Sequence, residues 1–330
     1  MRFISNRNIT DPSLNLALEE YVLRSLPDRD DYLLFYINEP SIIIGKNQNT
    51  VEEINAEYVE ENGIRVVRRL SGGGAVYHDL GNLNFSFIMK DDGRSFHNFK
   101  KFTEPVVQAL RKLGVEAELT GRNDLQVGER KISGNAQFST RGKMFSHGTL
   151  LFDSEMENVV SALKANAEKY VSKATKSIRS RVANISEFLA EPMTIEQFKT
   201  SLLTSLFEGE KDIPYYELSE QDWENVRKLA DERYRSWEWN YGRSPAFNVR
   251  QTKRIEGAGT FDVRLQVEDG IIAGATIYGD FFGRGDIAEF ADKFVGVRYE
   301  AQSLRTLLQD IDIAYYCGPV TPEQWLELML

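Results

Sequence analysis

The sequence predicts an α+β protein: a mixed, largely antiparallel sheet with packed helices, followed by a small α+β unit. Three observations predict it. Through residue 114 the local signals run helix, strand pair, helix, strands, helix, an order that favours an antiparallel sheet over a doubly wound one. Period-two apolar runs recur with turn-length connections, as at 83–89 and 261–267. At 237–245 an aromatic passage with Gly and Pro changes the composition, and a compact hairpin-and-helix pattern begins beyond it. The expected organisation is a first domain over 1–236, a linker over 237–247 and an accessory domain over 248–330.

Each element has a local reason. Asp11 as N-cap and Pro12 at the first helical position open a helix whose Leu14, Ala17, Leu18 and Tyr21 share one face. Runs 32–37 and 41–45, joined by Asn38-Glu39-Pro40, suit a hairpin. Thr50 with Glu53 makes a capping box for a helix that Asn62-Gly63 ends. Strands follow at 75–78 and 83–89 across the turn Asp79-Leu80-Gly81-Asn82, with Leu83, Phe85, Phe87 and Met89 on a core face. Asn98 caps a helix carrying Phe99, Phe102, Val106, Leu110 and Leu113, closed by Gly114.

Residues 121–137 read as two short strands turning at Gly128-Glu129, with Lys131 near the start of the second. The small polar run Ser133-Gly134-Asn135 predicts a bulge or a backbone approach to a ligand. A strand at 145–152 closes this region. Ser154 with Glu157, Thr194 with Gln197 and Ser219 with Asp222 mark helices, and 177–185 reads as a basic loop. In the last unit Phe261, Val263, Leu265 and Val267 alternate, Asp269-Gly270 turns and 271–278 returns. Asp286 with Glu289 and Thr321-Pro322 with Gln324 then open helices.

The net charge of −10, from 40 Lys+Arg against 50 Asp+Glu, argues against nonspecific nucleic-acid or membrane-surface binding while leaving room for a local basic site. A single cysteine, Cys317, excludes an internal disulfide and fits a reducing cytosol. The N-terminal residues lack an apolar signal region, and no apolar run approaches the ~18 residues of a membrane span, so a cytoplasmic protein is expected.

The stretch 68–89, RRLSGGGAVYHDLGNLNFSFIM, carries the clearest chemistry. Gly72, Gly73 and Gly74 follow Arg68 and Arg69, so bare backbone N–H groups lie beside planar guanidinium donors, as an anion cradle requires. It is neither a Walker A loop nor a GxGxxG fingerprint opening a helix. Spacing alone leaves open a glycine-rich connection with exposed arginines. A lone lysine such as Lys131 is usually a solvated charge, and the flanking Ser133-Gly134-Asn135, which withholds bulky side chains, shifts that reading. His78, His97 and His147 lack the spacing of a local metal motif, and no GxSxG elbow supports a triad. Cys317 reads as a buried small hydrophobe.

RRLSGGGAVYHDLGNLNFSF, GRNDLQVGERKISGNAQ, HGTLL, SIRSRVANI and SWEWNYGRSPAF occur in one order across nearly the whole chain, which thereby resembles lipoate–protein ligases of the two-domain bacterial type. The resemblance implies a biotin/lipoyl ligase-like catalytic domain and an accessory C-terminal domain. It implies joining of lipoate and ATP into lipoyl-adenylate, then transfer to a lysine of lipoyl domains of 2-oxoacid dehydrogenase acyltransferase subunits or of glycine-cleavage H protein. By the same resemblance Lys131 is the catalytic lysine, and Arg69, Gly73, Gly74, Ala75, Val76 and Tyr77 join it in binding ATP and the adenylate. Asp124 is assigned to Mg²⁺, with turn capping as its structural alternative. Tyr36 falls where the bacterial enzymes carry a tryptophan. Related acyltransferases of this fold pass the acyl group through a cysteine thioester, and a lone cysteine in the accessory domain favours the ATP-driven ligase. The alternatives are an octanoyl or lipoyl acyltransferase working without ATP and a non-catalytic lipoate-binding protein.

Overall fold

A computed structural model describes residues 1–27, 29–163, 181–208, 210, 212–241, 249–268, 270–299 and 301–330. The chain divides into two compact units. The first comprises Met1–Ile43, Val51–Arg68 and Val76–Asn240, and the second Ile44–Thr50, Arg69–Ala75 and Tyr241–Leu330.

Strands β1 (Arg2–Ser5), β2 (Tyr32–Ile37), β3 (Ser41–Ile44), β4 (Arg65–Arg68), β5 (Val76–His78), β6 (Asn82–Lys90), β7 (Glu118–Thr120), β8 (Asp124–Val127), β9 (Arg130–Thr140) and β10 (Lys143–Leu151) precede those of the C-terminal region. Seven of them form one sheet in the order β1-β2-β6-β10-β9-β8-β7. The β1–β2 pair is parallel and the other pairs are antiparallel. A smaller sheet runs β4-β3-β5.

The expected 32–45 hairpin does not form. Both edges of β2 are occupied, by β1 and β6, so the chain leaves through Pro40 and β3 pairs with β5 instead. For the same reason β5 and β6 lie in different sheets on either side of their turn.

One face of the large sheet buries Phe35, Phe85 and Phe87 against the helices Phe99–Lys112 and Ile195–Leu206. Phe152 stacks on Phe198 at 4.7 Å between centroids within this core. The other face carries helix α1 (Pro12–Ser25), started by Asp11, whose side chain accepts from the Ser13 N–H at 2.8 Å. Capping boxes form at Thr194 with Gln197 and at Ser219 with Asp222, as their spacing predicts.

The single helix expected from Thr50 to Glu61 is two, Thr50–Glu53 and Ala56–Glu61. Asn55 interrupts it by turning its side chain onto the Tyr58 N–H. The helix after Ser154 begins at Met156 with Glu155 as its N-cap, while Asn184 takes the Ser154 N–H at 3.0 Å.

The second unit holds the antiparallel sheet β11 (Val249–Ile255), β12 (Gly259–Glu268) and β13 (Ile271–Gly279). The predicted hairpin is β12–β13, with a bulge at Gln266/Val267. Helices Ile287–Asp292, Ala301–Gln309, Ile313–Cys317 and Pro322–Met329 complete it around Phe261, Phe281, Phe290 and Trp325. Asp286 and Thr321 cap the first and last as expected. Cys317 is wholly buried there, and burial pushes its thiol pKa well up, as suits a packing residue. The expectations for 177–180, for 242–248 and for Asp269 fall outside the described residues.

Candidate active site

A one-residue register shift positions Lys131. Asp124 stands opposite Gly134 and Leu125 opposite Ser133, but Gln126 faces Lys131 rather than Ile132, so β9 carries one extra residue. Side chains alternate along a strand, and an inserted residue reverses the parity beyond it. Lys131 therefore emerges on the face of Asp124 and Gln126, while Ile132 is buried in the core on the opposite side. Regular pairing would have sent the ammonium into that core. Lys131 Nζ lies 2.9 Å from Asp124 Oδ1, and each side chain remains about one-third exposed. Gly134 makes the room, since a Cβ there would stand 3.2 Å from Lys131 Nζ and 3.9 Å from Asp124 Oδ1. The backbone of Lys131 is tied on its other side, accepting from the Ala183 N–H at 2.9 Å and donating to the Arg181 carbonyl.

From Gly134 the same face continues across the sheet. Ala136 stands opposite His147, His147 opposite Ser86, Ser86 opposite Leu34, and Asn84 opposite Tyr36. This strip, small in the middle at Gly134, Ala136 and Ser86, lies on the α1 side of the sheet. There Glu19, buried, holds His147 Nδ1 at 2.9 and 3.1 Å. The next residue, Glu20, takes Arg24 at 2.6 Å, the Tyr234 hydroxyl at 2.8 Å and Arg233. Burial, reinforced by the Glu20 charge, raises the Tyr234 pKa well above 10, so its hydroxyl stays a donor.

The remaining expected residues divide between the units. Val76 and Tyr77 open β5 in the first. The Tyr77 phenol is pushed up to about 12, chiefly by burial and then by the Asp79 charge, and is a neutral O–H at physiological pH. Arg69, Gly73, Gly74 and Ala75 belong to the second unit. There Arg69 spans the glycine loop, donating through Nε to Ser71 Oγ at 3.0 Å and through Nη2 to the carbonyls of Gly72 at 2.7 Å and Gly74 at 2.8 Å. Its guanidinium thus braces the loop. The three glycines are not equivalent. A Cβ on Gly72 would meet the Phe281 carbonyl at 2.2 Å, and Gly73, at φ +91°, packs under the Phe282 ring, whereas Gly74 faces open space.

Sequence reasoning missed Asn15, Glu19 and Glu20, polar residues buried on a helix that its apolar spacing presents as ordinary core. It also weighed His147 only as a metal ligand or a triad member. Two adjacent glutamates between Leu18 and Tyr21, inside the apolar run of the helix, were the available signal.

The pattern "Lipoyl protein ligase A/B catalytic domain" matches residues 11–207, and "Bacterial lipoate protein ligase C-terminus" matches 244–329. The chain is 59% identical to lipoate-protein ligase LplJ of Bacillus subtilis, over all of both chains. It is 54% identical to lipoate–protein ligase 1 of Staphylococcus aureus, again over all of both. Among solved structures it is similar to P. falciparum LipL1 in complex with lipoate, with TM-score 0.79, 26% identity and 94% of each chain covered. The bipartite lipoate protein ligase of Thermoplasma acidophilum, described with its E2 lipoyl domain, gives TM-score 0.67 at 34% identity, covering 75% of this chain and 98% of that one. A lipoate-protein ligase A bound with ATP gives 0.62 at 31%, covering 73% and 98%.

Proposed function

The chain belongs to the lipoate–protein ligase family, and from that premise we propose that it activates lipoate with ATP and transfers the lipoyl group to a lysine of an acceptor protein. In the first step the lipoate carboxylate attacks the α-phosphorus of ATP, giving lipoyl-adenylate and pyrophosphate. In the second the acceptor ε-amine attacks the acyl carbon, the acyl–phosphate bond breaks and AMP leaves.

The observation that carries this reading is the ammonium of Lys131, brought by the β9 bulge onto the open face beside Asp124. Bringing a carboxylate to a phosphate opposes two anions, so fixed positive charge where charge develops lowers the barrier most. A compact ammonium with three donors can bridge the acyl carboxylate and the α-phosphate at once. The small-residue strip through Gly134, Ala136 and Ser86 is the place for the apolar acyl chain, bounded by α1. Arg69, Gly73, Gly74, Ala75, Val76 and Tyr77 are proposed as contacts of ATP and the adenylate. Gly74, whose surroundings are open, is the position at which a ligand can reach the loop backbone.

Mg²⁺ would supply charge neutralisation of the phosphates. A single carboxylate suits it, because Mg²⁺ takes most of its ligands from phosphate and water. Asp124 has that character: one-third exposed, engaged by Lys131, with no cluster of three His, Cys, Asp or Glu set to hold a metal among the described residues. We assign acceptors as lipoyl domains of 2-oxoacid dehydrogenase acyltransferase subunits and glycine-cleavage H protein, and the compartment as the cytoplasm. Among the described residues no helix is long and apolar enough to cross a membrane.

The test incubates the protein with lipoate, ATP, Mg²⁺ and apo H protein and weighs the acceptor. A lipoyl mass gain that requires ATP is expected. Transfer from octanoyl carrier protein without ATP would point to an acyltransferase, and lipoate binding without pyrophosphate release to a binding protein. The buried Cys317 thiol gives a thioester route no nucleophile, which favours the ligase over the cysteine-dependent transferases.

A further inference from the structure

Beneath α1 runs a chain of buried amides that ends on a histidine. Asn6 Nδ2 lies 2.9 Å from Asn15 Oδ1, Asn15 Nδ2 lies 2.8 Å from Asn38 Oδ1, and Asn38 Nδ2 lies 2.9 Å from His78 Nδ1. All four side chains are at most 4% exposed. Amide oxygen and nitrogen are told apart only by their partners, so the direction of such a chain must be fixed from outside it. Here the backbone fixes it twice. The Asn8 N–H donates to Asn6 Oδ1 at 3.1 Å, and the Ile9 carbonyl accepts from Asn6 Nδ2 at 2.8 Å and from Asn15 Nδ2 at 2.9 Å. The turn that presents these groups holds Arg7 and Asn8 in the left-handed region, at φ 56° and 57°, a conformation in which asparagine is at ease.

With both ends of Asn6 assigned, each later amide has one orientation, and Asn38 must present an N–H to His78 Nδ1. That nitrogen therefore accepts and carries no proton, so the imidazole is neutral with its proton on Nε2. One turn along α1, Glu19 imposes the reverse on His147, whose Nδ1 faces an acceptor-only carboxylate and must donate.

We propose that Asn6, Asn15 and Asn38 form a directional relay that fixes the His78 proton on Nε2, with Asn38 as the positioning residue. Helix α1 thereby sets opposite proton placements on two histidines from a single face.

The experiment is long-range ¹⁵N–¹H correlation on the ¹⁵N-histidine-labelled full chain at neutral pH, with His78, His97 and His147 assigned by single His→Gln variants. The expected spectrum shows His78 with a bare Nδ1 and a protonated Nε2, and His147 protonated at Nδ1. Asn38→Asp replaces the donor by an acceptor and moves the His78 proton to Nδ1. A His78 protonated at Nδ1, or averaging between tautomers, in the unsubstituted protein overturns the relay, and this result needs no variant to fold. A His78 proton that stays on Nε2 in a folded Asn38→Asp protein overturns the role of Asn38.

Discussion

Two glycine-bearing stretches, 72–74 and 133–135, look alike in sequence and do different work in the fold. In the first, Gly72 and Gly73 are demanded by the protein's own packing, under the Phe281 carbonyl and the Phe282 ring, and only Gly74 faces open space. In the second, Gly134 leaves room for the side chain proposed for catalysis, since a Cβ there would stand 3.2 Å from Lys131 Nζ. A bare backbone is thus a poor guide to a ligand until its neighbours are known. The same absence of a side chain serves tight packing in one place and the placement of a charge in the other.

The comparison predicts which substitutions strike activity and which strike stability. The largest effect falls on Lys131→Arg. A planar fork cannot occupy the compact ammonium's position over Gly134, so adenylation should fall about a thousandfold with the melting temperature little changed. Gly134→Ala should follow, lowering the adenylation rate about ten- to a hundredfold by displacing Lys131, since misplacing one catalytic group suffices for that loss. Native-like circular dichroism must accompany it; an unaltered rate would mean that Lys131 reaches its place without this space.

Gly72→Ala should act in the opposite register. Pushing a methyl against the Phe281 carbonyl should destabilise by about 1–3 kcal/mol, read as a lowered urea midpoint. Gly74→Ala should leave stability within about 0.5 kcal/mol, because nothing stands within 4 Å of the added carbon.

A smaller, pH-dependent effect belongs to the second unit. Burial works to raise the Asp262 pKa, but hydrogen bonds from Arg264 at 2.7 Å and Arg250 at 2.7 Å outweigh it and hold the carboxyl below its usual range. A carboxylate depressed in the folded state stabilises fully above its unfolded pKa of about 4 and loses that contribution as pH falls through the folded value. The urea midpoint should therefore drop on acidification below about pH 4. Asp262→Asn should cost about 1–2 kcal/mol at neutral pH, a figure reduced because Arg250 is 47% exposed, and should flatten that part of the profile.

Much of the architecture was legible because it is written locally. The caps at Asp11, Asn98, Thr194, Ser219 and Thr321 each announce their helices within four residues, and β12–β13 follows from alternation and a turn. Which sheet a strand joins is not local. The runs at 32–37 and 41–45 carry every mark of a hairpin, and only the occupation of both β2 edges by distant strands forbids it. The candidate site was proposed from its lysine and its small residues. That Lys131 faces outward depends on the parity of a bulge; the small polar run at 133–135 announces an irregularity, but no side-chain pattern reveals which residue is the extra one. The α1 residues Asn15, Glu19 and Glu20 were hidden for the opposite reason. Helical spacing assigns polar residues to solvent, whereas this helix is buried on both its apolar and its polar side.

The central claim is that the bulge delivers Lys131 to the step that joins lipoate to the nucleotide. Lipoate-dependent pyrophosphate release, followed side by side for the unsubstituted protein and Lys131→Ala, tests it most directly. Release by the former, and its loss in a Lys131→Ala protein of unchanged melting temperature, is the predicted result. Release from Lys131→Ala at the unsubstituted rate would contradict the account.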